Sequence, residues 1–330
     1  MTEYVTTTPG LYPLPDEEKD VLADLKGRQK GDLIDGDEPP DVREVYEGIR
    51  ADAIERQEAA GLDLIVEGQH RWDDMLGHPL SVSDAVETRS IERYYDNNNF
   101  YRDPAVVGEL EPTGDVAVEL EAASDLAEGD LQAVLPGPYS LFDLATDEYY
   151  GDEAVFLDAV GEFLAGEVDP FPDHTTLFLL EPSLVVNPPG EHAARASQAI
   201  DLVANATDAD VVVHTYFGAL DEETYAHLLD ADVDGVGYDL VAAPEATVEL
   251  LGEYGIPDSV ALGVIDGQNT LVESPGAIRE RVEWFEDRLP EAIDPDTVYV
   301  TPNTELFYLP VSKFEAKLDA LGSAYTEVEA

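Results

Sequence analysis

Two kinds of hydrophobic pattern alternate along this chain. Short apolar runs rich in Val, Ile and Leu recur, and between them lie segments whose apolar residues return every three or four positions. The first kind predicts buried strands at Tyr4–Thr8, Leu62–Val66, Val116–Leu120, Leu131–Leu135, Leu177–Leu180, Val211–Val213, a segment ending in Gly237-Tyr238-Asp239, Val260–Ile265 and Val298–Val300. The second predicts helices at Asp16–Gly27, Asp41–Ala60, Asp152–Val168, Glu191–Thr207, Glu245–Tyr254, Pro275–Leu289 and Ser312–Leu321, with a further helical segment after His214-Thr-Tyr-Phe-Gly218. Ser81–Thr88 and Ile91–Tyr95 also read as helical, and Asn97–Pro104 as a loop. Gly61 supplies a helix stop, Pro275 sits at the favoured first helical position, and Pro136-Gly137-Pro138 must turn.

Strands alternating with helices through short turns imply parallel pairing and right-handed crossovers. About eight strands favour a closed (β/α)8 TIM barrel over an open doubly wound sheet, and the expected organisation is a single α/β domain over 1–330. Gly31–Pro40 is expected to be an exposed acidic loop. No G-x-G-x-x-G follows any strand, which counts against dinucleotide binding.

In such a fold the carboxyl ends of the strands carry the chemistry. The polar residues there are Gln69 and His70, Glu181, His214 and Tyr216, Asp239, Asp266 and Asn269, and Asn303. A plainer reading accompanies them, since polar groups at strand ends often tie loops to neighbouring backbone. The stretch Asn97-Asn98-Asn99-Phe100-Tyr101 offers amides and rings suited to a planar heterocycle such as a pterin, and equally suits a loop that tolerates left-handed backbone. Glu67, Gln69, His70, Asp73 and Asp74 suggest acid–base work, though in so acidic a chain a histidine beside carboxylates is expected by chance.

Composition narrows the field. The 330 residues include 17 basic and 73 acidic side chains, for a formal net charge of −56. That argues against nucleic acid or an anionic membrane as partner. The acidic residues are spread over nearly every segment rather than gathered in one block, a pattern that fits adaptation to concentrated salt. There are no cysteines, so thiolate nucleophiles, thiolate metal ligands and disulfides are absent. Any metal site would combine His214 with carboxylates such as Asp239 and Glu181. No H-x-x-x-H or H-E-x-x-H helix supports one, and His214 is expected to be a satisfied, partly buried histidine. No apolar run spans a membrane and no signal pattern opens the chain, so a cytoplasmic location is expected.

Several stretches carry a resemblance: His214-Thr-Tyr-Phe-Gly218, Gly235-Val-Gly-Tyr-Asp-Leu-Val-Ala-Ala-Pro244, Gly263-Val-Ile-Asp-Gly-Gln-Asn269, Thr301-Pro-Asn-Thr-Glu-Leu-Phe-Tyr-Leu-Pro-Val311, Arg93–Tyr101 and Leu135-Pro-Gly-Pro138. Together they resemble the amino-terminal half of cobalamin-independent methionine synthase. Thr6–Pro13 and Gly61–Gln69 with Asp74-Met75 are more similar to the catalytic half, which is a related (β/α)8 barrel. The resemblance implies a catalytic half that binds zinc through a His-x-Cys pair, a Glu and a second Cys, and activates homocysteine.

Of that set only the histidine is matched here, as His214. Tyr216 and Thr304 stand at the cysteine positions and Asp239 at the glutamate. Gln268 stands at a proton-donating histidine, Leu180 at an amine-holding aspartate, Leu11 at a serine and Gln69 at a homocysteine-binding glutamate. The resemblance therefore implies a zinc-free, amino-terminal-type barrel with no metal of its own. Its partner would be a separate zinc-bearing methionine synthase barrel, with methyl-tetrahydrofolate and homocysteine as small molecules. Implied ligand contacts are Asn98, Phe100, Tyr101, Tyr216, Asp239 and Asn269. A metal-free barrel enzyme on a pterin- or tetrapyrrole-like substrate, or a regulatory or scaffold subunit, are the alternatives.

Overall fold

The computed structural model of this protein describes residues 2–22, 39–72, 74–95, 99–290 and 293–325. The first part of the chain runs β1 (Glu3–Thr6), α1 (Asp16–Leu22), α2 (Pro40–Ala60), β2 (Leu64–Val66), α3 (His78–Ser81), β3 (Val86–Arg93), β4 (Phe100–Val106) and α4 (Asp115–Ser124). It continues β5 (Asp130–Pro136), α5 (Pro138–Leu144), β6 (Thr146–Asp147), α6 (Glu153–Val168), β7 (Thr176–Leu180), α7 (Ser183–Val186) and α8 (Ala193–Ala204). The last part is β8 (Asp210–His214), α9 (Glu222–Leu228), β9 (Gly235–Asp239), α10 (Pro244–Tyr254), β10 (Ser259–Ile265), α11 (Pro275–Glu286), β11 (Thr297–Pro302) and α12 (Val311–Tyr325).

Eight strands make one parallel sheet in the order β1-β11-β10-β9-β8-β7-β5-β2. Helices cover its outer face, so strands such as β7, β9 and β10 are buried along their whole length. Between the terminal strands the ladder is reduced to a seam beside Asp63. Its backbone N–H donates to the Thr6 carbonyl at 3.1 Å, and its carboxylate accepts from the Thr6 N–H at 2.8 Å and hydroxyl at 2.7 Å. The sheet is thus a near-closed (β/α)8 barrel, the architecture expected from the sequence. Among the described residues no helix is long and apolar enough to cross a membrane.

Several stretches depart from expectation. Val116–Leu120 is not a strand but lies in α4. Its buried residues Val116, Ala117, Leu120 and Ala123 recur at helical spacing, whereas Val118 is 65% exposed. The alternating Val-Ala-Val-Glu-Leu mimics a strand only over a window too short to show the helical repeat. The segments expected to be helical around Ser81–Tyr95 instead build an antiparallel hairpin, β3 with β4, extended by β6. Most of β3 is exposed, so little hydrophobic pattern marked it. Pro104, which has no N–H for a ladder, coincides with a slip in register between Thr88 and Ile91, and the expected loop Asn97–Pro104 is largely β4. The helix expected over Glu191–Thr207 begins as a single 3-10 turn at Gly190–His192 before α8. Of the helix expected at Asp16–Gly27, Asp16–Leu22 is observed; its remainder and residues 31–38 of the acidic loop lie outside the described residues.

Candidate functional site

The carboxyl ends of the strands bring most of the polar candidates to one end of the barrel, and hydrogen bonds spend most of their polar atoms. Glu181, just past β7, is fully buried against the start of α5. Its Oε1 accepts from the Tyr139 N–H at 2.9 Å, and its Oε2 from the Ser140 N–H at 2.7 Å and hydroxyl at 2.6 Å. Room for it exists because residue 137 is glycine, where a Cβ would come within 2.2 Å of the Glu181 Cγ. Burial pushes this carboxyl up to about 7, against the donors that favour its charged form. On the seam side, Gln69 has a left-handed φ of 51°. Its Oε1 accepts from the Leu11 N–H at 2.8 Å, and its own N–H donates to Glu67 Oε2 at 2.6 Å. Glu67 also accepts from Arg50 Nε at 3.0 Å, and burial raises its carboxyl above the usual range.

His214, Asp239 and Asn303 form one cluster at the ends of β8, β9 and β11. The Asn303 side chain donates to Asp239 Oδ1 at 3.0 Å and accepts from the Gly267 N–H at 2.9 Å, and its carbonyl lies 3.1 Å from His214 Nε2. Asp239 Oδ1 further accepts from the Val241 and Ala242 N–H groups at 3.0 and 2.8 Å, and Oδ2 accepts from the Phe217 N–H at 3.0 Å. That last bond holds Phe217 at a φ of 73°, in the left-handed region. Asp239 is raised, first by burial.

His214 is fully buried, not partly, and is not satisfied as expected, since its Nδ1 has no hydrogen-bond partner; burial depresses its imidazole to about 4. Its Nδ1 faces Gly237, where a Cβ would lie only 2.2 Å away. These residues do not fit the family's zinc. His214 keeps one nitrogen against a glycine and the other on a carbonyl, and both Asp239 oxygens are engaged. At the two positions where the resemblance would place cysteines, the Tyr216 hydroxyl donates to Glu305 Oε1 and the Thr304 hydroxyl to the Glu305 carbonyl at 3.1 Å. Among the described residues no group of three or more His, Cys, Asp or Glu could hold a metal ion.

The remaining candidates are dispersed. His70 is half-buried with its ring 6.0 Å from that of Tyr12. Asp266 accepts from the Gln268 N–H at 3.0 Å and Asn269 from the Leu271 N–H at 3.0 Å, each closing its own turn. Phe100 is 55% exposed on β4, whereas Tyr101 is half-buried with its ring 6.4 Å from Tyr94. Asn98 lies outside the described residues.

Sequence reasoning missed Glu305, the most unusual side chain at this end. It is fully buried two residues past Asn303, and its Oε1 accepts from the hydroxyls of both Tyr94 and Tyr216. Its Oε2 has no hydrogen-bond partner. Burial pushes its carboxyl up to about 7 and holds both phenols well above their ordinary range. A lone carboxylate before the apolar run Leu306-Phe-Tyr-Leu309 was the signal available in the sequence.

Comparison with known proteins places this barrel among relatives. The chain is 25% identical over 91% of its length to 5-methyltetrahydropteroyltriglutamate–homocysteine methyltransferase of Salinibacter ruber, of which it spans 43%. It is 22% identical over 92% of its length to a methionine synthase of Sulfurisphaera tokodaii, of which it spans 86%. In fold it is similar to a B12-independent methionine synthase of Shewanella sp. W3-18-1, with a TM-score of 0.74, 16% identity and coverage of 87% of this chain and 88% of that one. The putative B12-independent methionine synthase of Listeria monocytogenes gives a TM-score of 0.63 at 18% identity, covering 98% of this chain and 96% of that one. The family described as cobalamin-independent synthase, N-terminal domain, matches residues 82–288. That stretch is well over half of the chain and runs from the hairpin to the end of α11, so the chain belongs to the cobalamin-independent synthase N-terminal domain family.

Proposed function

We propose that this chain, as a single domain over 1–330 in the cytoplasm, is the zinc-free half of a split methyltransferase. It works beside a separate zinc-bearing barrel that moves a methyl group from methyl-tetrahydrofolate to homocysteine. The observation that carries this reading is the chemistry at the family's metal positions, where His214, Tyr216, Asp239 and Thr304 are committed to one another's loops. A barrel so built contributes surface and ligand contacts rather than an activated thiolate. Phe100 and Tyr101, on the hairpin beside the strand exits, supply rings for a pterin, and Asn98 an amide.

Recombining this chain with a zinc-bearing barrel should raise methionine formation from methyl-tetrahydrofolate at least tenfold over that barrel alone. Tyr101→Ala and Asn98→Ala should each raise the KM for the folate severalfold. A partner barrel equally active without this chain would contradict the proposal. The similarity to a methionine synthase of Sulfurisphaera tokodaii, of which this chain spans 86%, favours a second reading, a barrel that acts alone. Activity of the purified chain without any partner separates the two.

A further inference from the structure

Among the described residues, Glu67, Glu181, Asp239 and Glu305 are buried carboxylates at this end of the barrel, and Glu305 differs from the other three. Glu67, Glu181 and Asp239 each have both oxygens engaged by donors. Glu305 has two phenol donors on Oε1 and none on Oε2. Either protonation state leaves Oε2 in want of a partner: a bare anionic oxygen lacks a donor, and a carboxylic O–H lacks an acceptor.

The surroundings say what kind of group would meet that want. The two phenols bonded to the carboxylate belong to a chain of five aromatic rings in edge-to-face and tilted contact. Tyr216 lies 4.8 Å from Phe217, Phe217 lies 5.7 Å from Tyr95, Tyr95 lies 4.7 Å from Tyr94, and Tyr94 lies 6.0 Å from Phe307. Tyr94 and Tyr216 are fully buried, while Tyr95, Phe217 and Phe307 are half-buried. Ring faces carry partial negative charge and attract cations. A carboxylate beneath them adds to that attraction, and a chain at −56 disfavours an anion.

We propose that Glu305 and its five-ring surround bind a small organic ammonium, with one ammonium N–H donated to Glu305 Oε2 and the rest of the cation against the rings. The phenol donors on Oε1 hold the carboxylate in place and leave the other oxygen for the ligand. This site includes Tyr216, a ligand contact implied by the resemblance, but none of Asn98, Phe100 and Tyr101, and it stands whether or not the proposed function holds. Because the carboxyl must ionise to receive the cation, affinity falls as pH drops below about 7.

Calorimetric titration of the full chain at pH 8 with methylammonium chloride, at constant total chloride, tests the assignment. Methylammonium should bind, tetramethylammonium (which has no N–H) should bind at least tenfold more weakly, and Glu305→Gln should weaken methylammonium at least tenfold. The melting temperature of Glu305→Gln reports whether it folds. If it does not, the wild-type protein carries the test alone, through a loss of affinity of about tenfold between pH 8 and pH 6. Absence of methylammonium binding, equal binding of the two cations, unchanged affinity in a folded Glu305→Gln, or pH-independent binding would each overturn the proposal.

Discussion

At the residue scale, burial governs the ionisable groups at the strand exits. The ordinary value of the Glu305 carboxyl is 4.5, and the fold raises it to about 7. Between those limits the native protein keeps a proton that the unfolded chain releases, so this group's stabilisation is full below pH 4.5 and is lost as pH rises to about 7. His214 has the opposite sign: its imidazole falls from 6.5 to about 4, so its contribution is present above pH 6.5 and fades as pH falls toward 4. Comparing wild type with Glu305→Gln cancels the histidine. Denaturant titrations should show wild type losing on the order of 3 kcal/mol relative to the variant between pH 4.5 and pH 7, with no further change above that. A difference that stays constant with pH would refute the assignment. Glycine 237 offers a second test. A Cβ there would meet His214 Nδ1 at 2.2 Å and its Cα at 3.0 Å, so Gly237→Ala should destabilise by about 1–3 kcal/mol in the same titrations.

At the element scale, the parallel strands were legible because burial on both faces writes them as unbroken Val, Leu and Ile runs, as in Val211–Val213 and Val260–Ile265. Where burial is one-sided or absent, the signal failed. The hairpin strand β3 is largely exposed, and in α4 the five residues Val116–Leu120 alternate over too short a window to show the helical repeat. Site geometry was harder still to read. Asp239 and Asn303 were visible as strand-end polar residues, but that they bond each other depends on two strands 64 residues apart meeting across β10. Helix starts were better marked. Asp152 caps α6 by accepting from the Ala154 and Val155 N–H groups at 3.0 and 3.1 Å. Asp152→Ala should lower stability by about 1 kcal/mol, measurable as a drop of a few degrees in melting temperature, and Asp152→Ser should restore most of it.

For the whole molecule, the net charge of −56 sets the conditions under which the barrel holds together. Acidic groups spread over the helices repel one another in dilute buffer, and salt at about 1 M shortens the reach of that repulsion to roughly 3 Å. The melting temperature should therefore fall on dialysis from molar to millimolar KCl, and a constant value would remove charge repulsion from the account. The same near-closed barrel presents a strand-exit face where His214, Tyr216, Asp239 and Thr304 anchor loops, and the proposed function therefore assigns the thiol chemistry to a second, zinc-bearing barrel. The most direct test is to purify this chain alone, equilibrate it with zinc, and measure both bound zinc and methionine formed from homocysteine and methyl-tetrahydrofolate. The account predicts substoichiometric zinc and no methionine until the zinc-bearing barrel is added; one zinc per chain with methionine formed by the isolated protein would contradict it.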